Sequence, residues 1–336
     1  MGLKVGVIGA GRIGKLHAEN LVYRVPEAEA LVIADVNKAA AEECAQRLRI
    51  PTATSRYQDI LENSAIEAVL ICSSTDTHSQ IIEEAAAAGK HIFCEKPIDY
   101  DLKRIDGALK AVEKAGVKLQ IGFNRRFDPN FRHVQEMVAA GKIGEPAILR
   151  ITSRDPAPPP IAYVKVSGGM FLDMTIHDFD MARFLIGSEV VEVYAVGGVT
   201  VDPAIGQAGD VDTAVITLKF ANGVIGTIDN CRRAVYGYDQ RIEVFGSAGN
   251  LVAANNTPHN VTYSNGDAVL TAKPLYFFLE RYTESFVEEM RQFIASVTQN
   301  KPTPVTGRDG LIPVMIGLAA QKSLREGRPV KLSEIG

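Results

Sequence analysis

The sequence predicts a doubly wound α/β domain with a parallel sheet over residues 1–122, followed by an α+β domain with a large, mostly antiparallel open sheet over residues 123–336. Three observations predict it. The chain has 336 residues, more than one ordinary core on a prior of ~100–200 residues per domain. In the first third, short continuous apolar runs alternate with amphipathic helical stretches, as parallel strands covered on both faces do. After Gly122 the rhythm changes to strand-like runs joined by Asn and Gly turns, as in antiparallel hairpins.

The elements follow in order. LKVGVIG leads into a helix to about Val22, and ALVIADV into a helix through Leu48. AVLICSS, HIFCEK and KLQIGF come next, with helical segments between them. DPAPPP, 155–160, is a stiff loop because each proline presets φ and removes a donor. A helix is expected over 170–186. ITLKF and VIGTIDNC are joined by Ala221-Asn222-Gly223, a strong hairpin signal. RIEVFG, LVAAN and NVTYS continue the pattern, and two late helices, 276–299 and 306–325, are expected to pack around this sheet. A sheet face that no element covers is where copies of the chain would meet.

Hydrophobic residues make up 46% of the chain and charged residues 23%, with a formal net charge of −4. With pI near 5.9 and mean hydropathy +0.03, nothing global draws the chain to nucleic acid or an anionic membrane surface. No apolar run reaches the ~18 residues of a membrane span, and MGLKVGVIG runs directly into a strand. A cytoplasmic protein is expected, with small molecules or copies of itself as partners. Cys44, Cys72, Cys94 and Cys231 stand singly without metal-ligand spacing, so they read as small buried hydrophobes and no metal is expected.

Gly9-Ala10-Gly11-Arg12-Ile13-Gly14 follows the first strand and opens a helix, the context that gives GxGxxG its meaning as a dinucleotide-binding Rossmann fingerprint. Gly9 permits the tight turn, Gly11 lets the backbone approach a pyrophosphate, and Gly14 lets helix pack on strand. Asp35 ends the second strand, where a carboxylate accepts hydrogen bonds from ribose hydroxyls and repels a 2′-phosphate, so NAD is favoured over NADP. Further cofactor contacts are expected along the same sheet edge, from Ser73, Ser74, Thr75 and His78 after AVLI and from Glu95 and Lys96 after HIFC. Capping of the next helix is the competing role for Thr75 and its neighbours.

MFLDMTIHDFD, 170–180, sets Asp173 and His177 four residues apart, on one face of any helix they share. Such a pair is a structural hydrogen bond or half of an active site. Glu95-Lys96-Pro97 closes HIFCEKP, and with the fingerprint, Asp35 and SSTDTH before it the chain resembles the glucose-fructose oxidoreductase, inositol dehydrogenase and rhizopine-catabolism (Gfo/Idh/MocA) family of nicotinamide-dependent oxidoreductases. The likeness spans essentially the whole length and is nearest to the bacterial inositol 2-dehydrogenases, through GAGRIGKLHAENL, FCEKPID, GFNRRFDPNF, GGMFLDMTIHDFDMARFL and VYGYDQRIEVFG.

The resemblance implies that Lys96, Asp173 and His177 form the catalytic group, with either His177 or Lys96 taking the hydroxyl proton. It implies NAD-dependent oxidation of a cyclic polyol, myo-inositol to 2-keto-myo-inositol, with scyllo-inositol or an aldose such as glucose as alternative substrates. Substrate contacts are expected from these three residues, from Arg126 or its neighbour Arg125 in NRRF, from Asp155 and from Tyr236 of YGYD. An interdomain salt bridge is the competing role for the arginine, and aromatic packing for Tyr236. The resemblance further implies a homotetramer. Some relatives are non-catalytic sensors that lose the lysine or histidine, and keeping all three residues argues for the enzyme. His17 and His133 on helices and His259 on a turn read as surface or packing residues.

Overall fold

The computed structural model describes residues 2–335. Strands β1 (Leu3–Ile8), β2 (Ala28–Ala34), β3 (Thr52–Thr54), β4 (Ala68–Ile71), β5 (His91–Glu95) and β6 (Leu119–Gly122) form one sheet in the order β3-β2-β1-β4-β5-β6. Every pairing in it is parallel. Helices α1 (Arg12–Tyr23), α2 (Lys38–Leu48), α3 (Gln58–Leu61), α4 (Thr75–Ala87) and α5 (Leu102–Ala115) alternate with the strands. β4 is buried at all four residues, Ala68–Ile71, as continuous apolar strands under two helical layers must be. Strand order reverses on either side of β1, the switch point at whose carboxyl edge such sheets bind ligands. β3 is the strand that the pattern did not reveal, because Thr-Ala-Thr is short, half polar and at the sheet edge.

The second sheet contains β7 (Pro146–Arg154), β8 (Val190–Gly198), β9 (Thr213–Phe220), β10 (Ile225–Cys231), β11 (Asp239–Gly246), β12 (Gly249–Ala253) and β15 (Val330–Lys331). Its order is β12-β11-β7-β10-β9-β8-β15, antiparallel except where β7 and β10 run parallel. The Asn-Gly hairpin forms between β9 and β10, with Gly223 at φ +92°. NVTYS does not join this sheet. β13 (Thr262–Ser264) pairs with β14 (Val269–Thr271) as a separate, exposed ribbon.

Helices α6 (Pro129–Ala139), α7 (Ile161–Val164), α8 (Met170–Asp173), α9 (Ile176–Ile186), α10 (Pro203–Gln207) and α11 (Phe278–Arg281) belong with this sheet. On β9, Ala214, Ile216, Leu218 and Phe220 turn inward, while Val215 is 53% exposed. The outward set continues through Ile148, Tyr194, Val196, Ile225, Phe245 and Val252, an apolar face open in this chain.

Helices α12 (Thr283–Thr298) and α13 (Gly307–Glu326) come last. The expectation that 276–299 is one helix packed around the second sheet is corrected here. The stretch breaks at Tyr282 (φ −114°), and α12 packs instead into the first unit's core. Its Val287, Met290, Phe293 and Ile294 cluster with Val5, Val7, Ile33, Leu70 and Phe93. The first compact unit thus runs to Phe127 and takes up Glu284–Ile312, while the second is Asp128–Thr283 with the chain from Pro313 onward.

Candidate active site

The dinucleotide side is built at the carboxyl edge of the parallel sheet. Gly9 adopts φ +105°, and a Cβ there would lie 2.4 Å from the Cys72 carbonyl oxygen. A Cβ on Gly14 would lie 2.0 Å from the Gly9 carbonyl oxygen, so α1 starts in backbone contact with the turn. Gly11 meets nothing within 4 Å, leaving the approach to the α1 N-terminus open to phosphates. Arg12 and Ile13 form the first helical turn behind it.

Asp35 is anchored by the same loop. Its Oδ2 accepts from the Ala10 N–H at 2.6 Å and its Oδ1 from the Asn37 N–H at 2.8 Å. A carboxylate can accept about four hydrogen bonds, so it keeps capacity for ribose hydroxyls. These features fit NAD without adjustment. Asp35→Ser is expected to lower the ratio of kcat/KM with NAD to that with NADP by about tenfold or more, because it removes repulsion of a 2′-phosphate. An unchanged ratio would rule out the ribose role.

Ser73 and Ser74 precede α4 and Thr75 begins it, with Ser73 Oγ 2.7 Å from Thr77 Oγ1. His78 is buried, with Nδ1 2.8 Å from the Pro97 carbonyl oxygen and Nε2 3.1 Å from that of Ser73. Burial holds its imidazole below the ordinary range despite those carbonyls. The expectation of a direct cofactor contact is corrected for His78, because both ring nitrogens face backbone carbonyls. It ties the loop after β4 to the turn that carries Lys96-Pro97, whose peptide bond is cis.

Glu95 also turns inward, its Oε1 2.7 Å from Nε2 of the fully buried His17. His17 is therefore more than a packing residue. Glu289 of α12 completes a group whose ligand atoms lie within 4.8 Å of one another. Such a set could hold a cation, but a proton suffices: burial, with the charge of Glu95 beside it, holds the Glu289 carboxyl well above the usual range. A carboxyl raised on folding stabilises fully below the unfolded value of about 4.5, and that contribution is lost as pH climbs toward the folded value. Glu289→Gln is therefore expected to flatten the decline of the urea midpoint between pH 5 and 8. A variant whose profile runs parallel to the parent's would remove the assignment.

Arg126, on a short 3-10 turn after β6, is buried and pairs through Nη2 with Asp309 Oδ1 at 2.9 Å. Burial works to raise Asp309, and the Arg126 charge with bonds from Thr306 outweighs it, leaving its carboxyl below the ordinary range. Both partners belong to the first unit, so this pair is not the interdomain salt bridge expected as the competing role.

In the second unit the expected helix over 170–186 is interrupted, which corrects the reading of Asp173 and His177 as i and i+4 on one helix. Asp173 ends the single turn of α8 and His177 lies in the first turn of α9. The cause is a buried clamp. The Met174 and Thr175 N–H groups both donate to the Met170 carbonyl, and the Thr175 hydroxyl donates to Asn230 Oδ1 at 2.6 Å. Asn230 Nδ2 in turn donates to Asp178 Oδ2 at 2.9 Å. Both Asp173 and His177 are half-buried.

Asp173 is gripped at both oxygens, by the Tyr163 hydroxyl on Oδ1 (2.8 Å) and by Arg232 Nη2 on Oδ2 (3.2 Å). Asp155 Oδ2 lies 3.8 Å from Arg232 Nη1. Tyr236 stands apart from this group. Its hydroxyl donates to Asp239 Oδ2 at 2.5 Å and accepts from Arg154 at 3.4 Å. It borders a cavity of about 320 Å³ with Thr213, Val215, Asp229 and Cys231, which alternate onto the open sheet face. Arg232, Tyr163 and Asn230 were not singled out from the sequence, and the one signal pointing to Arg232 is an arginine directly after an apolar strand.

Residues 3–123 match the oxidoreductase family with an NAD-binding Rossmann fold, and residues 131–252 match the GFO/IDH/MocA C-terminal domain. The chain belongs to the GFO/IDH/MocA family. As a GFO/IDH/MocA protein it is an oxidoreductase whose first unit binds NAD. It is 51% identical to a myo-inositol 2-dehydrogenase of Thermotoga maritima, over 99% of each chain. It is 47% identical to an inositol 2-dehydrogenase of Rhizobium meliloti, over 99% of this chain and 100% of the relative. Among solved GFO/IDH/MocA structures, a scyllo-inositol dehydrogenase of Lactobacillus casei with bound NAD(H) and scyllo-inositol superposes with TM-score 0.93 at 31% identity, covering 99% of this chain and 100% of that one.

Proposed function

We propose that the protein oxidises a cyclic polyol with NAD, converting myo-inositol to 2-keto-myo-inositol. Whole-length identity of 51% and 47% to two proteins named as inositol 2-dehydrogenases carries this reading. Oxidising a carbinol removes a proton from its hydroxyl and a hydride from its carbon, and NAD when bound supplies the hydride acceptor. His177 takes the proton, as an imidazole working near neutral pH can. Lys96 hydrogen-bonds the reacting oxygen and stabilises the developing alkoxide. Asp173, held by Tyr163 and Arg232, supports one of these two groups electrostatically. Asp155 and Arg126 serve the other hydroxyls, and Tyr236 ranks behind them because its hydroxyl is committed to Asp239.

The test is the initial rate of NADH formation with NAD or NADP and a panel of myo-inositol, scyllo-inositol, D-chiro-inositol, glucose and xylose. Fastest turnover with myo-inositol and NAD is expected. The likeness to the Lactobacillus casei enzyme supports scyllo-inositol as a second reading, and the panel ranks the two. Silence across the panel with NADH binding intact would favour a sensor.

The same reading includes a homotetramer working in the cytoplasm. No helix among the described residues is long and apolar enough to cross a membrane. The apolar open face of the second sheet supports self-association, as does the β13–β14 ribbon with Val261, Tyr263, Val269 and Leu270 exposed. A lone two-stranded ribbon is marginal in water. Light scattering should give about four times the 36.3 kDa chain mass, and a monomer mass would overturn the assembly.

A further inference from the structure

Arg232 directly follows β10 and is 2% exposed. A guanidinium cannot shed its charge in the interior, so burying it requires carboxylates. Three face it from separate segments: Asp173 Oδ2 at 3.2 Å, Asp155 Oδ2 at 3.8 Å and Asp210 Oδ2 at 4.0 Å. Asp210 also accepts from the Met170 N–H through both oxygens at 3.0 Å, which fixes the start of α8. One turn later that helix delivers Asp173, whose other oxygen takes the Tyr163 hydroxyl. Asp173 thus lies between two donors, with its helical turn anchored by a third partner of the same arginine.

We propose that Arg232 is a positioning residue for the dehydrogenase reaction: it fixes the Asp173 carboxylate opposite Tyr163 and sets Asp155 beside it to face the hydroxyls of a neutral polyol. This rests on the proposed role of Asp173. The carboxylates held beside Arg232 can accept hydrogen bonds from O–H donors. Lysine cannot replace arginine here, because a single ammonium does not span carboxylates approached through Nη1 and Nη2.

Arg232→Lys, Tyr163→Phe, Asp173→Asn and the double variant Arg232→Lys/Asp173→Asn are assayed with NAD and myo-inositol, and NADH fluorescence reports folding and cofactor affinity. Arg232→Lys is expected to lower kcat by roughly ten- to a hundredfold with NADH affinity unchanged, the scale of a misplaced catalytic group. In the Asp173→Asn background the same change should cost less than about threefold, since the interaction is already gone. A parental kcat in Arg232→Lys, or an equal loss in both backgrounds, overturns the positioning role. If Arg232→Lys does not fold, Tyr163→Phe, at a 48% exposed position, carries the same cycle. There additivity with Asp173→Asn overturns the two-sided grip. Full turnover in Asp173→Asn alone would instead sink the reading beneath the proposal.

Discussion

Lys96→Ala is expected to lower kcat by about two to four orders of magnitude while NADH affinity stays within a few fold, and His177→Ala should do the same. The separation follows from where Lys96 sits. Its backbone turn is tied to the loop after β4 through His78 and the Pro97 carbonyl, whereas Gly9, Gly11 and Gly14, the proposed pyrophosphate approach, lie in the turn after β1 and the start of α1. In the proposed role, truncating Lys96 would remove a cation from the reacting oxygen and leave the glycine turn intact. Single-turnover mixing with NAD and myo-inositol, followed at the NADH absorbance, isolates the hydride step. If either variant kept near-parental turnover, the catalytic assignment would be wrong.

Gly14→Ala and Gly11→Ala should behave as opposites, although the two glycines belong to one motif. A methyl on Gly14 would lie 2.0 Å from the Gly9 carbonyl oxygen, so α1 must lift off the turn. Overpacking of backbone against backbone is expected to cost about 2–4 kcal/mol of unfolding free energy and to abolish measurable NAD binding. At Gly11 the backbone is ordinary, at φ −72°, and nothing lies within 4 Å. Gly11→Ala should therefore change stability by less than about 0.5 kcal/mol while weakening NAD binding by tenfold or more, because the methyl occupies space meant for pyrophosphate. Thermal unfolding of both apo variants, with NADH titration, separates the cases. Equal destabilisation would contradict the division of labour.

What could be read ahead of the structure was what is local. Continuous apolar runs specified five of the six parallel strands, and Asn222-Gly223 specified the β9–β10 hairpin. The missed features depend on partners far along the chain. The break between Asp173 and His177 is imposed by Asn230, 55 residues beyond Thr175. Arg232 has the composition of a surface residue until the fold brings Asp155, Asp173 and Asp210 around it. Likewise, the apolar stripe of α12 does not state which sheet it will cover, and Phe293 reaches Phe93 across two hundred residues, with ring centroids 5.9 Å apart.

That last pairing sets a schedule for biosynthesis. The parallel sheet is translated in full by Gly122, yet Met290, Phe293 and Ile294 are not available to close its core until Glu284–Ile312 has left the ribosome. At ~5–20 residues per second, the nascent sheet waits roughly ten to forty seconds with Phe93 and its neighbours uncovered. Over that interval the emerging chain is a client for holding chaperones, and an amino-terminal fragment ending near Phe123 would be expected to aggregate rather than stand alone as a dinucleotide binder.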